Sequence, residues 1–475
     1  MLRSVQYDMN ILRFFEDMGG GVPMMPIQKR PLSKLKLGVL YSLSESYMML
    51  PFLIFSSLLT EKSTTVNFFV PVIIVYYVLR ACLIALRGFG QITNPYRILK
   101  GGLLIALSGS ILMLMSFFYR PLLMLSALLI GIGLSPFHAM FIPIYAGVTE
   151  QNPSLKKGKS IGTGLYLLVM LTALVLGKIY LLVVPVLFLL YIVCVLWILI
   201  RFDGDTLFAH QKAFDTDKSN LVYFVFGILS LLCLFILRQY KQSSVSALLW
   251  LAPSLVIILI ILEMFRHRHY GVFVYQTYWA GAVKSYLLLF SLIYHNSVGN
   301  SSMGILIYLA IAIGTILSML LRKFLSKFLT DTKLSHVSML LSAAFAFLLI
   351  APSQTINLIG IMLSMAFGNI TATEAAARYM KDERHEPLDR SLVRLRIYAA
   401  GSILEQLVLF FTIYLCGEFR IHQNLLEAYA AGIPDPSLSL LLHKVGLICS
   451  AILLLSAILI VCFSGKRKAH SVKTE

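Results

Sequence analysis

Two ionisable residues of opposite sign interrupt otherwise apolar stretches of this chain. Glu45 lies in the run Ser42-Leu43-Ser44-Glu45-Ser46-Tyr47, and Lys284 lies among Tyr275, Tyr278, Trp279 and Tyr286. A carboxylate in such a setting can carry a proton, read a cationic group or simply bond to neighbouring hydroxyls, and a lysine can hold an anionic group or pair with an acid. His138, two residues after Pro136, is a candidate proton carrier whose alternative is a hydrogen-bonded packing role. Glu405, with Gln406 beside it, is a similar candidate. Arg80 sits near the end of its apolar stretch, where snorkelling to headgroups and a gating role are both open. Gln276 and Tyr278 are candidate substrate contacts, whereas Tyr270 reads as an interfacial anchor. Glu374 beside Arg378 and Glu263 beside Arg266 read as interfacial ion pairs.

The elements that must position these groups follow from composition. Hydrophobic residues make up 58% of the 475-residue chain, more than a water-soluble globule can hide. Charge-free runs such as 181–200 are long enough for helices to cross about 30 Å of hydrocarbon. In lipid each backbone donor must be paired within its own segment, so long continuous runs are helices. The expected spans are 37–60, 66–86, 101–118, 121–147, 160–180, 181–201, 219–237, 245–265, 271–294, 303–321, 334–351, 355–376, 395–416 and 440–463, with a helix break expected at Pro51. Residues 1–36 interleave charges and lack the apolar core of a cleavable signal, so they are read as a cytoplasmic arm. The six cysteines are scattered singly, without metal-ligand or disulfide spacing, and no metal site or cofactor is expected.

A net charge of +18 would suggest nucleic acid in a soluble protein, but its distribution excludes that. Most Lys and Arg fall in alternate connections, among them Arg87-Arg97-Lys100, Lys156-Lys157-Lys159, Arg322-Lys323-Lys327-Lys333, Arg378 through Arg396 and the Lys466-Arg467-Lys468 tail. The intervening turns 295–302 and 352–355 have none. The positive-inside rule then puts the rich segments and both termini in the cytoplasm, and an even number of spans follows.

The pattern occurs twice. Arg87 and Arg322 open the basic connection after the second span of each half, about 235 residues apart, Gly133 and Gly368 share that offset, and Gly164 and Gly401 nearly so. Two further spans, 219–237 and 245–265, lie between the copies. Both copies start on the same side, which makes them parallel repeats. The expected fold is therefore an all-α polytopic membrane protein: two parallel six-helix bundles (37–201 and 271–463) flanking a linker with a helix hairpin (202–270), then a cytoplasmic tail (464–475), 14 transmembrane helices in all.

This arrangement resembles the major facilitator superfamily, in particular its fourteen-helix members with a central hairpin. The segment Arg87-Gly88-Phe89-Gly90-Gln91-Ile92-Thr93-Asn94-Pro95-Tyr96-Arg97 keeps a glycine and the final arginine of that family's loop signature but lacks its aspartate. Gly131-Ile132-Gly133-Leu134-Ser135-Pro136 resembles the family's fourth helix, with small residues for close helix approach. The resemblance implies a central cavity between rocking bundles, lined by the fourth helix, with Glu45 and Lys284 facing each other across it.

Phosphate-loop, zinc-protease and nucleophile-elbow motifs are absent, and no catalytic residue is assigned. The expected function is a secondary active transporter, not an enzyme, moving a small organic or amphiphilic solute by alternating access with a coupled proton. A lipid or lipid-linked-glycan flippase is the alternative, and a membrane-embedded transferase a third reading. Expected partners are the substrate, the bilayer and the proton, without nucleic acid, for a monomer in a bacterial inner (plasma) membrane.

Overall fold

The computed structural model describes residues 32–58, 95–179, 182–202, 271–297, 303–351, 353–381, 387–416 and 436–471. The helices are α1 (Lys34–Ser46), α2 (Met49–Leu58), α3 (Pro95–Met115), α4 (Leu122–Leu134), α5 (Phe137–Gln151), α6 (Lys157–Ile179) and α7 (Val183–Arg201) in the first half of the chain. The second half contributes α8 (Val272–Ser297), α9 (Met303–Leu325), α10 (Asp331–Ala346), α11 (Gln354–Lys381), α12 (Pro387–Cys416) and α13 (Pro436–Ser471). Among the described residues, 8 helical segments are long and apolar enough to cross a membrane, and the bent pair Lys34–Ser46 and Met49–Phe55 makes up to 9. The chain is an all-helical, multi-pass membrane protein. The expected spans 66–86, 219–237 and 245–265, and Arg80 within the first of them, lie outside the described residues.

Prolines set the breaks that matter here. The first span breaks at Tyr47-Met48, not at Pro51, and its two parts meet at 64°. The displacement has a physical cause: Pro51 has no N–H to give the carbonyl four residues earlier, and its ring crowds that carbonyl, which belongs to Tyr47. Pro51 itself then sits comfortably in the first turn of α2. Pro136 stands in the break itself, at the residue before α5, and α4 and α5 together form one 30-residue span, Leu122–Gln151. At the other extreme, α12 starts at Pro387, eight residues before the expected 395, because a proline at the first helical position is pre-organised for the helix. Arg394, which the expected span 395–416 left in the basic connection, is thereby drawn into a membrane helix.

Small residues set the helix spacing. α3 packs on α4 where Gly102 and Gly133 face each other's carbonyls, and α10 packs on α11 where Ser342 and Ser364 exchange hydroxyl-to-carbonyl bonds of 2.7 and 2.8 Å. Gly368 lies against Ser342, so the two glycines that share the 235-residue offset sit at matching helix contacts. On α6, Gly164 faces open space, and Gly162 is the residue pressed against Gly38 and Tyr41 of α1.

Polar side chains close the remaining joints. The Tyr96 hydroxyl caps the end of α7 by donating to the Leu199 and Phe202 carbonyls. Trp279 Nε1 donates to the Leu453 carbonyl at 3.0 Å, and the Tyr286 hydroxyl meets the Gly446 carbonyl and Ser450 Oγ at 3.1 and 3.0 Å. Two members of the aromatic group around Lys284 thus fasten α8 to α13. Glu374, 3% exposed, pairs with Arg322 of α9 at 2.7 Å, while Arg378 turns to Gln276 and the Asp331 carbonyl.

Candidate functional site

Residues that keep some exposure recur at helical spacing on helices of both halves of the chain. On α1, Glu45 is exposed although Ser44 and Ser46 beside it are 1% and 0% exposed, and Tyr41 and Met48, one turn away on either side, are half-buried. This stripe does not face lipid: Tyr41 contacts the rings of Phe141 and Tyr145 on α5. Half-buried residues recur at the same spacing on α5 (His138, Ile142, Tyr145) and on α12 (Arg390, Arg394, Tyr398). Lys284, near the middle of the 26-residue α8, is half-buried as well. A charge in such a position costs roughly 2.5–3.5 kcal/mol per group if turned to lipid.

His138 is the hub. Its Nδ1 lies 2.8 Å from Ser44 Oγ and 2.9 Å from the Ser44 carbonyl oxygen, and its ring stacks on Tyr47 at 5.6 Å between centroids with 6° between planes. On the far side its Nε2 faces Arg394 Nη2 of α12 at 3.5 Å. An arginine N–H can only donate, so Nε2 presents its lone pair and the ring proton goes to Nδ1, where the Ser44 carbonyl accepts it. That carbonyl lies in the last turn of α1, where carbonyls lack intrahelical donors because the helix stops at the Pro51-induced break. The break and the histidine are therefore parts of one device.

The charges gather around this ring. Glu45, Arg394 and Lys284 all lie within electrostatic reach of His138, and Arg394 within reach of Glu45, Tyr47, Tyr379 and Tyr398. Glu45 also acts on Tyr41 and Tyr166. Helices from the two halves of the chain meet here, α5 against α12, and they meet again where Phe52 of α2 lies edge-on to Tyr308 of α9 at 6.3 Å.

Of the residues singled out from sequence, Glu45, His138 and Lys284 are brought together. Gln276 and Tyr278 are not on the open face: Gln276 is wholly buried with its carbonyl accepting from Arg378 Nη1 at 3.3 Å, and Tyr278 is packed in the α8–α12 joint. Glu405, 4% exposed, lies apart in the apolar interior near Tyr286 and Cys449, with its Oε1 unpartnered. Among the described residues Glu405 makes no ion pair. Glu405→Gln, which keeps shape and removes the ionisable proton, is accordingly expected to leave membrane abundance and thermal stability within about 0.5 kcal/mol of the parent, checked by fluorescence size-exclusion after heating; a clear loss would mean that the carboxylate is ionised and paired.

Arg394 is the site residue that sequence reading missed, together with Tyr41, Tyr47 and Tyr166. Its signal was available in the Arg390-Arg394-Tyr398 spacing behind Pro387, which is the spacing of one helix face.

No protein-family model matches the sequence, and no curated protein matches it. Solved structures do match in fold. A mutant form of the nucleoside transporter NupG aligns with TM-score 0.56 and 12% identity over 90% of this chain and 99% of its own. The chain has the fold of a membrane transporter. An auto-inhibited POT family peptide transporter aligns with TM-score 0.55 and 14% identity over 91% and 95% of the two chains. A bacterial homologue of the human drug peptide transporters PepT1 and PepT2 gives 0.52 and 15% over 92% and 100%. The transporter fold agrees with the resemblance drawn from the loop charges and glycines.

Proposed function

We propose that this chain is a gradient-coupled secondary transporter, in which two six-helix bundles, 37–201 and 271–463, rock about a central cavity and expose it to each side in turn. The observation that carries the reading is the polar cluster itself. Glu45, His138, Lys284 and Arg394 lie at the meeting of helices from both halves, in a chain whose fold is that of solute transporters. A mere scaffold gains nothing from charges that each cost several kcal/mol at such depth. Structures of nucleoside and peptide transporters with this fold favour a small soluble or amphiphilic solute over a lipid-linked glycan.

The basic connections place the termini and the outer end of the Arg390–Arg396 segment in the cytoplasm. The α5–α12 contact at His138 and Arg394 then closes the cytoplasmic path, and the Phe52–Tyr308 contact narrows the opposite one. Glu45 and His138 are the groups suited to carry the coupling proton, because both face the cavity and touch the moving contact. The central hairpin, 202–270, is an addition between the bundles. The membrane is a bacterial plasma membrane and the working unit a monomer.

Purified protein reconstituted into liposomes with an imposed pH gradient tests this. Accumulation of a solute from a metabolite pool, collapsing when a protonophore is added, is the expected result. A pool that equilibrates identically in protein-containing and protein-free vesicles overturns the reading.

A further inference from the structure

We infer that the turn between α9 and α10 binds an anionic phospholipid, whose phosphate head sits among Lys323, Lys327 and Lys333 while its acyl chains lie along the outward face of α9. Only the cytoplasmic placement of this connection is taken from the reading above; such a site exists whether or not the chain moves a solute.

The outward face follows from the sequence of α9. Ile313, Ile316, Leu320 and Phe324 recur at helical spacing and are all exposed, so they form one apolar stripe. Helical turns continue past Leu325, with Ser326 N donating to the Arg322 carbonyl and Leu329 N to the Leu325 carbonyl at 2.9 Å each, which brings Phe328 to the end of the same stripe. Phe324 and Phe328 are 58% and 70% exposed, with ring centroids 5.3 Å apart. Two such rings are costly in water and are accepted by acyl chains.

Positive charge follows directly after the rings. The chain turns into α10 around a cleft of about 580 Å³ lined by residues 326–332, Lys327 among them. That volume lies within the roughly 300–1,000 Å³ of small-ligand sites. Lys323 stands one turn before Lys327, and Lys333 lies in the first turn of α10, just after the lining ends. All three are exposed and, among the described residues, none has an ion-pair partner, whereas Arg322 beside them is taken by Glu374. Asp331, the acid in the lining, is within electrostatic reach of Arg378, which also donates to its carbonyl at 3.1 Å. Three ammonium groups with no acid opposite them suit a phosphate, and Ser326 and Thr330 add hydroxyls for glycerol or ester oxygens. A soluble anion would need only the lysines, and an interfacial anchor only the rings. Their succession along one helix end, apolar and then basic, is the order of a phospholipid. Arg322 and Arg378 already tie α9 and α10 to α11 at this end, so a bound head would hold three helices together.

Purified protein in a neutral detergent at low salt, given equal amounts of phosphatidylglycerol and phosphatidylcholine and read by native mass spectrometry, should retain the anionic lipid at least tenfold over the neutral one, since each lysine at a membrane surface is worth roughly fivefold. Lys323→Gln, Lys327→Gln and Lys333→Gln in one chain should bring that preference below twofold, and arginine at the same three positions should restore it. Phe324→Ser with Phe328→Ser should weaken retention of both lipids at least threefold and leave their ratio unchanged. Lys156→Gln with Lys157→Gln, in the exposed basic connection before α6, is the control and should keep the parent ratio. Monodisperse elution shows that each variant is folded; should the triple glutamine variant aggregate, Lys327→Gln alone must lower the ratio at least threefold. A preference that survives the triple substitution overturns the proposal. Equal loss in the Lys156 and Lys157 control does so too, because anionic lipid would then be drawn to the basic face at large. Glycerol 1-phosphate competing as well as phosphatidylglycerol at the same concentration would overturn it in favour of a soluble anion.

Discussion

Lys284→Ala is expected to cut the initial rate of transport by roughly 10- to 150-fold, the range for losing a hydrogen bond made by a charged group. Protein abundance in the membrane should stay unchanged. Lys284 is half-buried near the middle of α8, and its charge reaches His138 across the junction of the two halves. Truncation removes a charge that is costly at that depth, which offsets part of what folding loses with its contacts, while any ligand or acid held by the ammonium loses its partner. Transport per molecule, normalised to membrane protein by quantitative immunoblot, is the measurement. An unchanged rate at both low and saturating substrate would remove Lys284 from the site.

The second large effect concerns the joint that carries Lys284 and Arg394. α8 and α12 touch backbone to backbone: a β-carbon on Gly281 would land on the Tyr398 carbonyl oxygen, and one on Gly401 on that of Tyr278. Neither carbonyl can swing away as a flexible side chain would, so Gly401→Leu must push the helices apart. Overpacking costs typically about 1–3 kcal/mol, and backbone against backbone lies at or above the upper end. Loss of most folded protein from the membrane is expected. Gly164→Ala and Gly147→Ala are the controls, since nothing lies within 4 Å of either added carbon. Parent-like abundance of Gly401→Leu would mean that the two helices are farther apart than described.

Much of this was legible in the chain. Run length and hydropathy announced helices because lipid leaves the backbone no other way to pair its polar groups. Isolated ionisable residues inside those runs stood out because the solvent around them should exclude charge, which is how Glu45, His138 and Lys284 were found. Boundaries were harder. A proline disrupts the carbonyl four residues before it, so the break appeared at Tyr47 and not at Pro51. A proline can also begin a helix, and the same residue type that ended one span started α12 early enough to carry Arg394 inside.

What the sequence determined by itself is the solvent: an apolar, helical, multi-pass chain with a few charges that lipid cannot accommodate. These are consequences of transfer energies, which act residue by residue. Partnership was decided only by the tertiary structure. Ser44, His138 and Arg394 are joined across separations of 94 and 256 residues, and Gln276, for all its promise on paper, turns into a packed joint with Arg378. The reason is geometric: helical period says which residues share a face, but which faces meet depends on where glycines let helices touch and where prolines make them bend.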